Sequence, residues 1–206
     1  MARAEAVAAR RERRAATSDP EVVMEAAAAF LSVRPRSVQE TRRRLRYHGY
    51  PHPLVEQVLT RLVGLGYLDD EVFARAWVES RDRARPRGSA ALRRELSLKG
   101  VASDVIAAIL EERSSVGLDE QPPNSSQDEP SGSPDEHAAA RLLQRRRAAL
   151  DREADPRRRR QRAYALLARN GFDPATVTLA LRTLDDERGD DPANEQHLDQ
   201  RGASDV

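Results

Sequence analysis

Cysteine is absent from this chain of 206 residues, and histidine occurs only four times. Without cysteine, the chain has no disulfide, thiolate metal site or cysteine nucleophile. Aromatic residues make up 4% of the chain and charged residues 33%, a composition that favours helices with solvated faces over a large sheet-based core. Isoleucine occurs only at Ile106 and Ile109, whereas Leu and Ala are abundant, so the composition gives almost no support to strands.

Long apolar runs and catalytic motifs are also missing. No stretch of 18 or more apolar residues exists, and the arginine-rich start lacks the apolar segment of a signal peptide, so we expect a cytoplasmic protein with no membrane partner. No Gly-x-Ser-x-Gly, Walker A or Gly-x-Gly-x-x-Gly motif occurs. His48 and His52 are separated by Gly49 and Pro51, which break a helix between them. We therefore predict no enzyme activity, no cofactor and no metal site.

Lysine is represented by Lys99 alone, so nearly all positive charge is guanidinium. Arginine suits phosphate and carboxylate partners, although codon usage in a GC-rich genome would give the same bias. The formal net charge of +1 hides a segregated distribution. Residues 81–99 carry a net charge of +5, residues 141–162 carry +7, and residues 185–206 carry −6.

Three basic clusters are candidate contacts with an acidic partner or with phosphate groups, the alternative being solvated helix faces. In the third cluster, positive charge at a helix N-terminus opposes the helix dipole, which favours a binding role. The candidates are Arg42, Arg43 and Arg44 in the first cluster, Arg81, Arg85, Arg87, Arg93, Arg94 and Lys99 in the second, and Arg157, Arg158, Arg159 and Arg160 in the third.

An internal repeat appears when Gly49, Gly100 and Gly171 are aligned. Leucine stands four residues before each glycine, an apolar residue follows it, and an apolar stripe with helical spacing comes next. This pattern predicts a helix that ends at a left-handed glycine, then a second helix, as in a helix-turn-helix. A further apolar helix precedes each pair.

The predicted fold is therefore all-α, with tandem three-helix repeats that form an elongated, curved array. The predicted segments are a flexible Ala/Arg-rich arm (1–18), repeat 1 (19–68), repeat 2 (69–113), a disordered acidic Pro/Ser linker (114–133), repeat 3 (134–184) and a disordered acidic tail (185–206).

A set of residues forms the predicted structural signature of these repeats. Asp69 or Asp70 is expected to cap the helix that follows Gly66, and Phe73 with Trp77 to form an aromatic pair one turn apart. The complete signature is Leu45, Gly49, Tyr50, Gly66, Asp69, Asp70, Phe73, Trp77, Leu96, Gly100, Val101, Leu167, Gly171 and Phe172.

These segments resemble the RecX family, the bacterial regulators of the RecA recombinase, over about residues 20–184. The strongest resemblance is the joint Gly64-Leu-Gly-Tyr-Leu-Asp-Asp-Glu-Val-Phe-Ala74, with further support from Arg36-Ser37, from Gly88 through Lys99-Gly100-Val101, and from Asn170-Gly171-Phe172. The linker and the acidic tail depart from the family pattern.

The resemblance implies a non-enzymatic modulator that acts in DNA repair, recombination and the SOS response. We expect a monomer, although the sequence leaves the oligomeric state open. Its partner would be the RecA filament on single-stranded DNA, bound in the filament groove. The usual effect in the family is to depress the ATPase, strand-exchange and coprotease activities of RecA. Two alternatives stay open: an autonomous helix-turn-helix DNA-binding protein, and a helical scaffold for another protein. Whether the chain inhibits or activates RecA, and which repeat dominates, also stays open.

Overall fold

The computed structural model describes residues 1–119 and 132–189. Within these ranges the chain forms ten α-helices and no strand, which confirms the all-α prediction. The helices are α1 (Ala2–Ala15), α2 (Pro20–Leu31), α3 (Val38–Tyr47), α4 (His52–Gly64), α5 (Asp70–Ala84), α6 (Ser89–Lys99), α7 (Ser103–Asp119), α8 (Pro134–Asp151), α9 (Pro156–Arg169) and α10 (Pro174–Gly189).

The helix starts are set by capping residues. Ser37 and Ser133 open α3 and α8 with complete capping boxes, in which serine and the glutamate three residues later satisfy each other's backbone N–H groups. Asp19, Asp155 and Asp173 accept hydrogen bonds from the N–H groups two residues later, and proline occupies the first helical position after each.

The turns at Gly49, Gly100 and Gly171 have the predicted left-handed conformation, with φ of 93°, 81° and 82°. Glycine adopts this region without the steric cost that a Cβ brings. The residue after each glycine donates its N–H to the carbonyl of the buried leucine five positions earlier, which is the Schellman arrangement. The pairs are Tyr50 with Leu45 (3.3 Å), Val101 with Leu96 (3.2 Å) and Phe172 with Leu167 (3.3 Å).

The first and third groups of three helices each enclose a hydrophobic core. A fully buried Val, Leu or Phe side chain contributes about 1.5–3 kcal/mol, so the helical stripes account for much of the fold. The core of α2, α3 and α4 includes Val23, Leu45, Val55, Val58 and Leu59, and the core of α8, α9 and α10 includes Leu143, Leu167, Phe172, Val177 and Leu181.

The chain divides into two compact units, within each of which the Cα atoms lie close together. The division falls within the middle group of helices, α5, α6 and α7. The first unit contains Met1–Ser80 and Arg93–Glu112, and the second contains Arg81–Leu92 and the described residues from Arg113 onward. Each unit therefore holds one terminal group of three helices, part of the middle group, and the joint that connects them.

In the first unit, the joint places the turn after α6 against the start of α3. The Ser37 hydroxyl donates to the carbonyl of Lys99 at 2.6 Å. The Asp70 carboxylate accepts from the N–H of Val38 at 2.9 Å, so the first residue of α5 satisfies an orphan donor of α3. Backbone groups at these helix ends, which would otherwise form hydrogen bonds with water, thus bond to the neighbouring repeat.

In the second unit, the joint places the turn after α9 against the start of α6. The N–H of Gly88 donates to the carbonyl of Asn170 at 3.0 Å, and the Asp135 carboxylate accepts from the N–H of Ser89 at 3.0 Å. A Cβ on Gly88 would lie 2.2 Å from the carbonyl oxygen of Gly171. Only glycine permits this approach of the two backbones.

Helix α1 contacts the first repeat through arginine side chains. The Arg14 guanidinium lies 5.4 Å from the Tyr50 ring centroid, and its Nη1 lies 3.0 Å from Nδ1 of His48. The Arg11 guanidinium lies 5.8 Å from the Tyr47 ring centroid. The composition predicts a flexible arm over residues 1–18, whereas guanidinium groups that stack on aromatic rings place this helix against the first repeat.

Two helices extend into the segments predicted to be disordered. Helix α7 continues to Asp119, past the predicted linker start at residue 114, and α10 continues to Gly189, past the predicted tail start at residue 185. Ser133, predicted as the last linker residue, is the N-cap of α8. The rest of the predicted linker, residues 120–131, and of the tail, residues 190–206, lies outside the described residues.

Candidate functional site

A basic cleft in the second unit lies where the loop between α5 and α6 passes beside α8. Four arginines line this cleft of about 410 Å³: Arg85 and Arg87 from the loop, and Arg145 and Arg146 from α8. None of the described residues that line it is acidic. The cleft therefore concentrates positive charge at a concave surface, which attracts anions.

Two of the four arginines are fixed by hydrogen bonds to the protein. Arg145 donates to the backbone carbonyls of Ala84 at 2.6 Å and Arg83 at 2.8 Å, which are orphan acceptors at the end of α5. Arg87 donates to the side-chain oxygen of Asn170 at 2.5 Å. These bonds hold the guanidinium groups in place before a ligand arrives.

Arg85 and Arg146 are exposed at the cleft, as Arg145 also is. In the described part of the chain no carboxylate pairs with either of them. Because guanidinium binds phosphate and carboxylate oxygens in a bidentate fork, two exposed arginines beside two fixed ones form a site suited to phosphate.

The third basic cluster forms a separate groove on α9 and α10. Arg157 and Arg160 line a cavity of about 440 Å³ with Tyr164, which is 46% exposed. Arg158 lies 3.6 Å from the Asp155 carboxylate, and Arg159 is half-buried. Exposed arginine beside an exposed aromatic ring is typical of surfaces that bind single-stranded nucleic acid.

In the first basic cluster, Arg42 binds side chains of the same chain. Both nitrogens of its fork bind the Glu56 carboxylate, at 2.8 and 2.9 Å, and a third donates to the Gln39 side chain at 2.6 Å. The hydrogen bond from Arg42 lowers the pKa of Glu56 below its ordinary value, although partial burial opposes this effect. Arg43 donates to the carbonyl of Leu98 at 3.1 Å. The remaining member of this cluster, Arg44, lies over the Phe30 ring.

Lys99 is likewise engaged within the protein. Its Nζ lies 2.6 Å from the Glu40 carboxylate and 4.7 Å from the centroid of the Trp77 ring. Burial raises the pKa of Glu40, but the hydrogen bond and the charge of Lys99, with further help from Ser37 and Arg34, leave that pKa below its ordinary value. Lys99 therefore has a structural partner. Arg93 and Arg94 are exposed on α6.

Comparison with known protein families matches the chain twice. The model for the first three-helix domain of RecX matches residues 24–62, and the model for the second three-helix domain matches residues 69–110. The regulatory protein RecX of Prosthecochloris aestuarii is 32% identical over 81% of this chain and 96% of its own length. RecX of Streptomyces coelicolor is 30% identical over 84% of this chain and 81% of its own length. This chain belongs to the RecX family.

Solved RecX structures have the same fold. The crystal structure of RecX from Lactobacillus salivarius has a TM-score of 0.63 at 16% identity and covers 81% of this chain and 96% of that one. A second RecX crystal structure has a TM-score of 0.62 at 19% identity, with 78% and 70% coverage. The resemblance based on the joint around residues 64–74 is thereby confirmed, as are the tandem helical repeats.

The paired aspartates of this RecX family member have different partners. Asp69 is the N-cap of α5, because its carboxylate accepts from the N–H groups of Glu71 at 2.8 Å and Val72 at 3.0 Å. Asp70 instead accepts from Val38 in the preceding repeat. Burial raises the pKa of Asp70, and the bond from Val38 opposes that rise. The sequence predicted a cap here but did not reveal that the second aspartate caps another helix.

The signature aromatics of this RecX family member form their predicted contact, with Phe73 and Trp77 ring centroids 5.9 Å apart. The Trp77 ring nitrogen donates to the Glu95 carboxylate at 2.9 Å. Phe73 is buried, so this pair belongs to the folded scaffold. Gly66 ends the turn after α4 with φ of 74°.

Sequence analysis did not single out Arg145, Arg146 or Arg113. The first two entered only the charge total of residues 141–162, and no sequence spacing links α8 to the loop at Arg85. Arg113 stands at the predicted end of the second repeat, yet its side chain is only 8% exposed and contacts both Asp82 and Asp135. Its neighbours in the sequence, Glu112 and Ser114, are also polar, so the sequence does not indicate that Arg113 is buried.

Among the described residues, no group of three or more metal-ligating side chains lies close together, and the described helices include none whose length and apolarity suit a membrane span.

Proposed function

We propose that this chain is a non-enzymatic modulator of the RecA recombinase that binds in the groove of the RecA filament on single-stranded DNA. It depresses the ATPase, strand-exchange and coprotease activities of RecA. The name of its relatives, regulatory protein RecX, supports the regulatory role. The observation that carries the mode of binding is the basic cleft of Arg85, Arg87, Arg145 and Arg146.

In this proposal the cleft receives backbone phosphates of the single strand within the filament. Arg87 and Arg145 are oriented by Asn170 and by the end of α5, so a phosphate finds two donors already in place. Arg85 and Arg146 close on it from the exposed side. The groove of Arg157 and Arg160 with Tyr164 supplies a second contact with the strand.

The test is the single-strand-dependent ATPase of RecA from the same organism, titrated with this protein. We expect suppression at well below one modulator per RecA, and we expect Arg85→Gln/Arg146→Gln to require roughly tenfold more protein for half-suppression, because charge-assisted hydrogen bonds are lost. Arg141→Gln/Arg182→Gln is the matched control: it makes the same charge change at exposed positions of α8 and α10 outside the cleft, and its titration should match that of the unaltered chain.

Binding to bare single-stranded DNA separates this proposal from autonomous DNA binding. If the cleft contacts phosphates, the cleft variant should reduce the slope of log affinity against log salt by about 1.4, since each single-strand phosphate contributes about 0.7. Suppression of the ATPase only at concentrations that coat free DNA would favour the autonomous DNA-binding protein. No suppression by a folded, helical sample would overturn the proposal.

A further inference from the structure

A third cavity, of about 600 Å³, lies in the first unit between α1, α2 and α3. Its inner surface is apolar and includes Ala26, Ala29 and Phe30 from α2, with Leu45 from α3. This composition provides space for an apolar side chain, as small-ligand and peptide pockets commonly do.

The rim of this cavity is cationic. Arg14, Arg36 and Arg44 reach it from α1, from the loop before α3 and from α3 itself, and none of the described residues that line it is acidic. The nearby Glu40 is already shared between Lys99 at 2.6 Å and Arg34 at 3.3 Å. The three guanidinium groups therefore lack a carboxylate partner in the described part of the chain.

The aromatic rings at the cavity are covered by these arginines. The Arg36 guanidinium lies 4.2 Å from the Phe30 ring centroid and that of Arg44 lies 5.4 Å from it, while Arg14 covers the buried Tyr50. A nucleobase would have to displace a guanidinium to stack there. The rings hold the guanidinium groups in place, and Nε of Arg36 is buried with no acceptor among the described residues.

The electrostatics at the cavity favour an anion. Burial, together with the charges of Arg34 and Arg44, lowers the pKa of Arg36 below its ordinary value, although Glu40 opposes this. Burial, together with the charges of Arg44, Arg14 and Arg11, lowers the pKa of His48. A guanidinium only donates, so Nδ1 of His48 accepts from Arg14 and the imidazole is neutral. An incoming carboxylate would relieve the repulsion among these cations.

We propose that this cavity binds a short acidic peptide of a partner protein, with one apolar side chain in the Ala26–Phe30 pocket and flanking carboxylates on Arg36 and Arg44. The apolar interior favours a peptide over a phosphodiester chain, which has no apolar group to place there once the bases are excluded from the ring faces. The forked guanidinium geometry suits a carboxylate. This site is separate from the basic cleft and does not depend on the proposed RecA function.

The probe is a fluorescein-labelled peptide, Gly-Asp-Glu-Phe-Glu-Asp-Gly, titrated with the full chain by fluorescence anisotropy. Arg36→Gln/Arg44→Gln should weaken binding roughly tenfold or more, because two charge-assisted contacts are lost. Arg13→Gln/Arg46→Gln is the matched control: it makes the same charge change at exposed positions of α1 and α3 outside the cavity, and its affinity should remain within about twofold of that of the unaltered chain, since exposed charges act weakly through solvent.

The apolar part of the site is tested without a change in charge. Ala29→Trp fills the cavity from α2, where Ala29 is exposed, and should abolish peptide binding while circular dichroism stays unchanged. A peptide with Ser in place of Phe should bind the unaltered chain as weakly as the original peptide binds the Ala29→Trp variant.

Three results would overturn the proposal. The first is no peptide binding at low salt. The second is equal affinity among the Arg36→Gln/Arg44→Gln, Arg13→Gln/Arg46→Gln and unaltered chains, which would indicate diffuse charge attraction. The third is tighter binding of oligodeoxythymidylate than of the peptide, with the same dependence on Arg36 and Arg44, which would assign the cavity to nucleic acid.

Discussion

Arg113 shows how one buried cation connects several helix ends in the second unit. Two of its nitrogens bind the Asp82 carboxylate at 2.9 Å, and a third contacts Asp135 and lies 3.3 Å from the Ser89 hydroxyl. Asp135 in turn accepts from the N–H of Ser89. Removal of the arginine would leave two partly buried carboxylates without their counter-charge.

We therefore expect Arg113→Ala to lower the free energy of unfolding by about 3–5 kcal/mol, because removing one partner of a buried ion pair leaves the other charge buried and unpaired. Urea unfolding followed by circular dichroism would measure this loss. Arg75→Ala is the control, since Arg75 forms a comparable 2.9 Å fork with Glu112 on the surface, and its unfolding midpoint should hardly change. An equal loss in both variants would contradict a special role for Arg113.

At the scale of elements, the two joints use equivalent positions of successive repeats. Ser37 precedes Gly49 by the same twelve residues by which Gly88 precedes Gly100. Both residues bond to the turn of the following repeat, Ser37 through its hydroxyl and Gly88 through its backbone N–H. An aspartate from the next repeat also caps the start of each of these helices: Asp70 caps α3, and Asp135 caps α6. The repeats are therefore joined through their helix termini.

The Gly88 joint gives a sharp test of this packing. A Cβ at residue 88 would meet the backbone of Gly171 and Phe172 at 2.2–2.5 Å, and backbone cannot move aside as a side chain can. We expect Gly88→Ala to destabilise the chain by about 3 kcal/mol or more, as measured by thermal or urea unfolding.

The matched control for this substitution is Gly64→Ala. Gly64 is the last residue of α4, and a Cβ there meets nothing within 4 Å. Alanine should leave stability unchanged or raise it by up to about 1 kcal/mol, since it is the better helix former. If Gly88→Ala were as stable as Gly64→Ala, the close contact of the two turns would be ruled out.

At the scale of the whole molecule, the net charge near zero combines a basic third repeat with an acidic end. Residues 190–206 contain five acidic residues and one arginine, so the chain without them has a net charge of +5 instead of +1. The charge that a distant polyanion meets depends on this sum at low salt and much less at high salt.

We expect removal of residues 190–206 to tighten binding to single-stranded DNA at low salt, with the difference disappearing as salt rises. Fluorescence anisotropy at two salt concentrations would measure this change. The control is a full-length chain with the five acidic residues of this segment changed to their amides, which should reproduce the effect if charge causes it. Unchanged affinity at low salt would count against it.

Much of the local structure follows from local sequence signals. Capping boxes at Ser37 and Ser133, left-handed glycines at Gly49 and Gly171, and apolar stripes at helical spacing each act within one or two turns of chain, so they can be located without a structure. The docking of α1 was missed because its contacts combine cations with aromatic rings some thirty residues away.

The candidate site was predictable only in part. Arg85 and Arg87 were expected as ligand contacts, and the structure places them in the basic cleft. Charge counting predicted the same role for Arg42 and Lys99, yet these residues form ion pairs with Glu56 and Glu40. A charge count cannot tell an arginine that already has a partner from one that is available.

The sequence by itself determined the helices, their caps, the glycine turns and the family, because these depend on backbone preferences and on residues close together in the chain. Only the tertiary structure decided which guanidinium groups share a surface, that Asp70 caps a helix of another repeat, and that Arg113 is buried. These outcomes depend on how distant segments pack, and that packing is fixed by shape and by the pairing of polar groups across the whole fold.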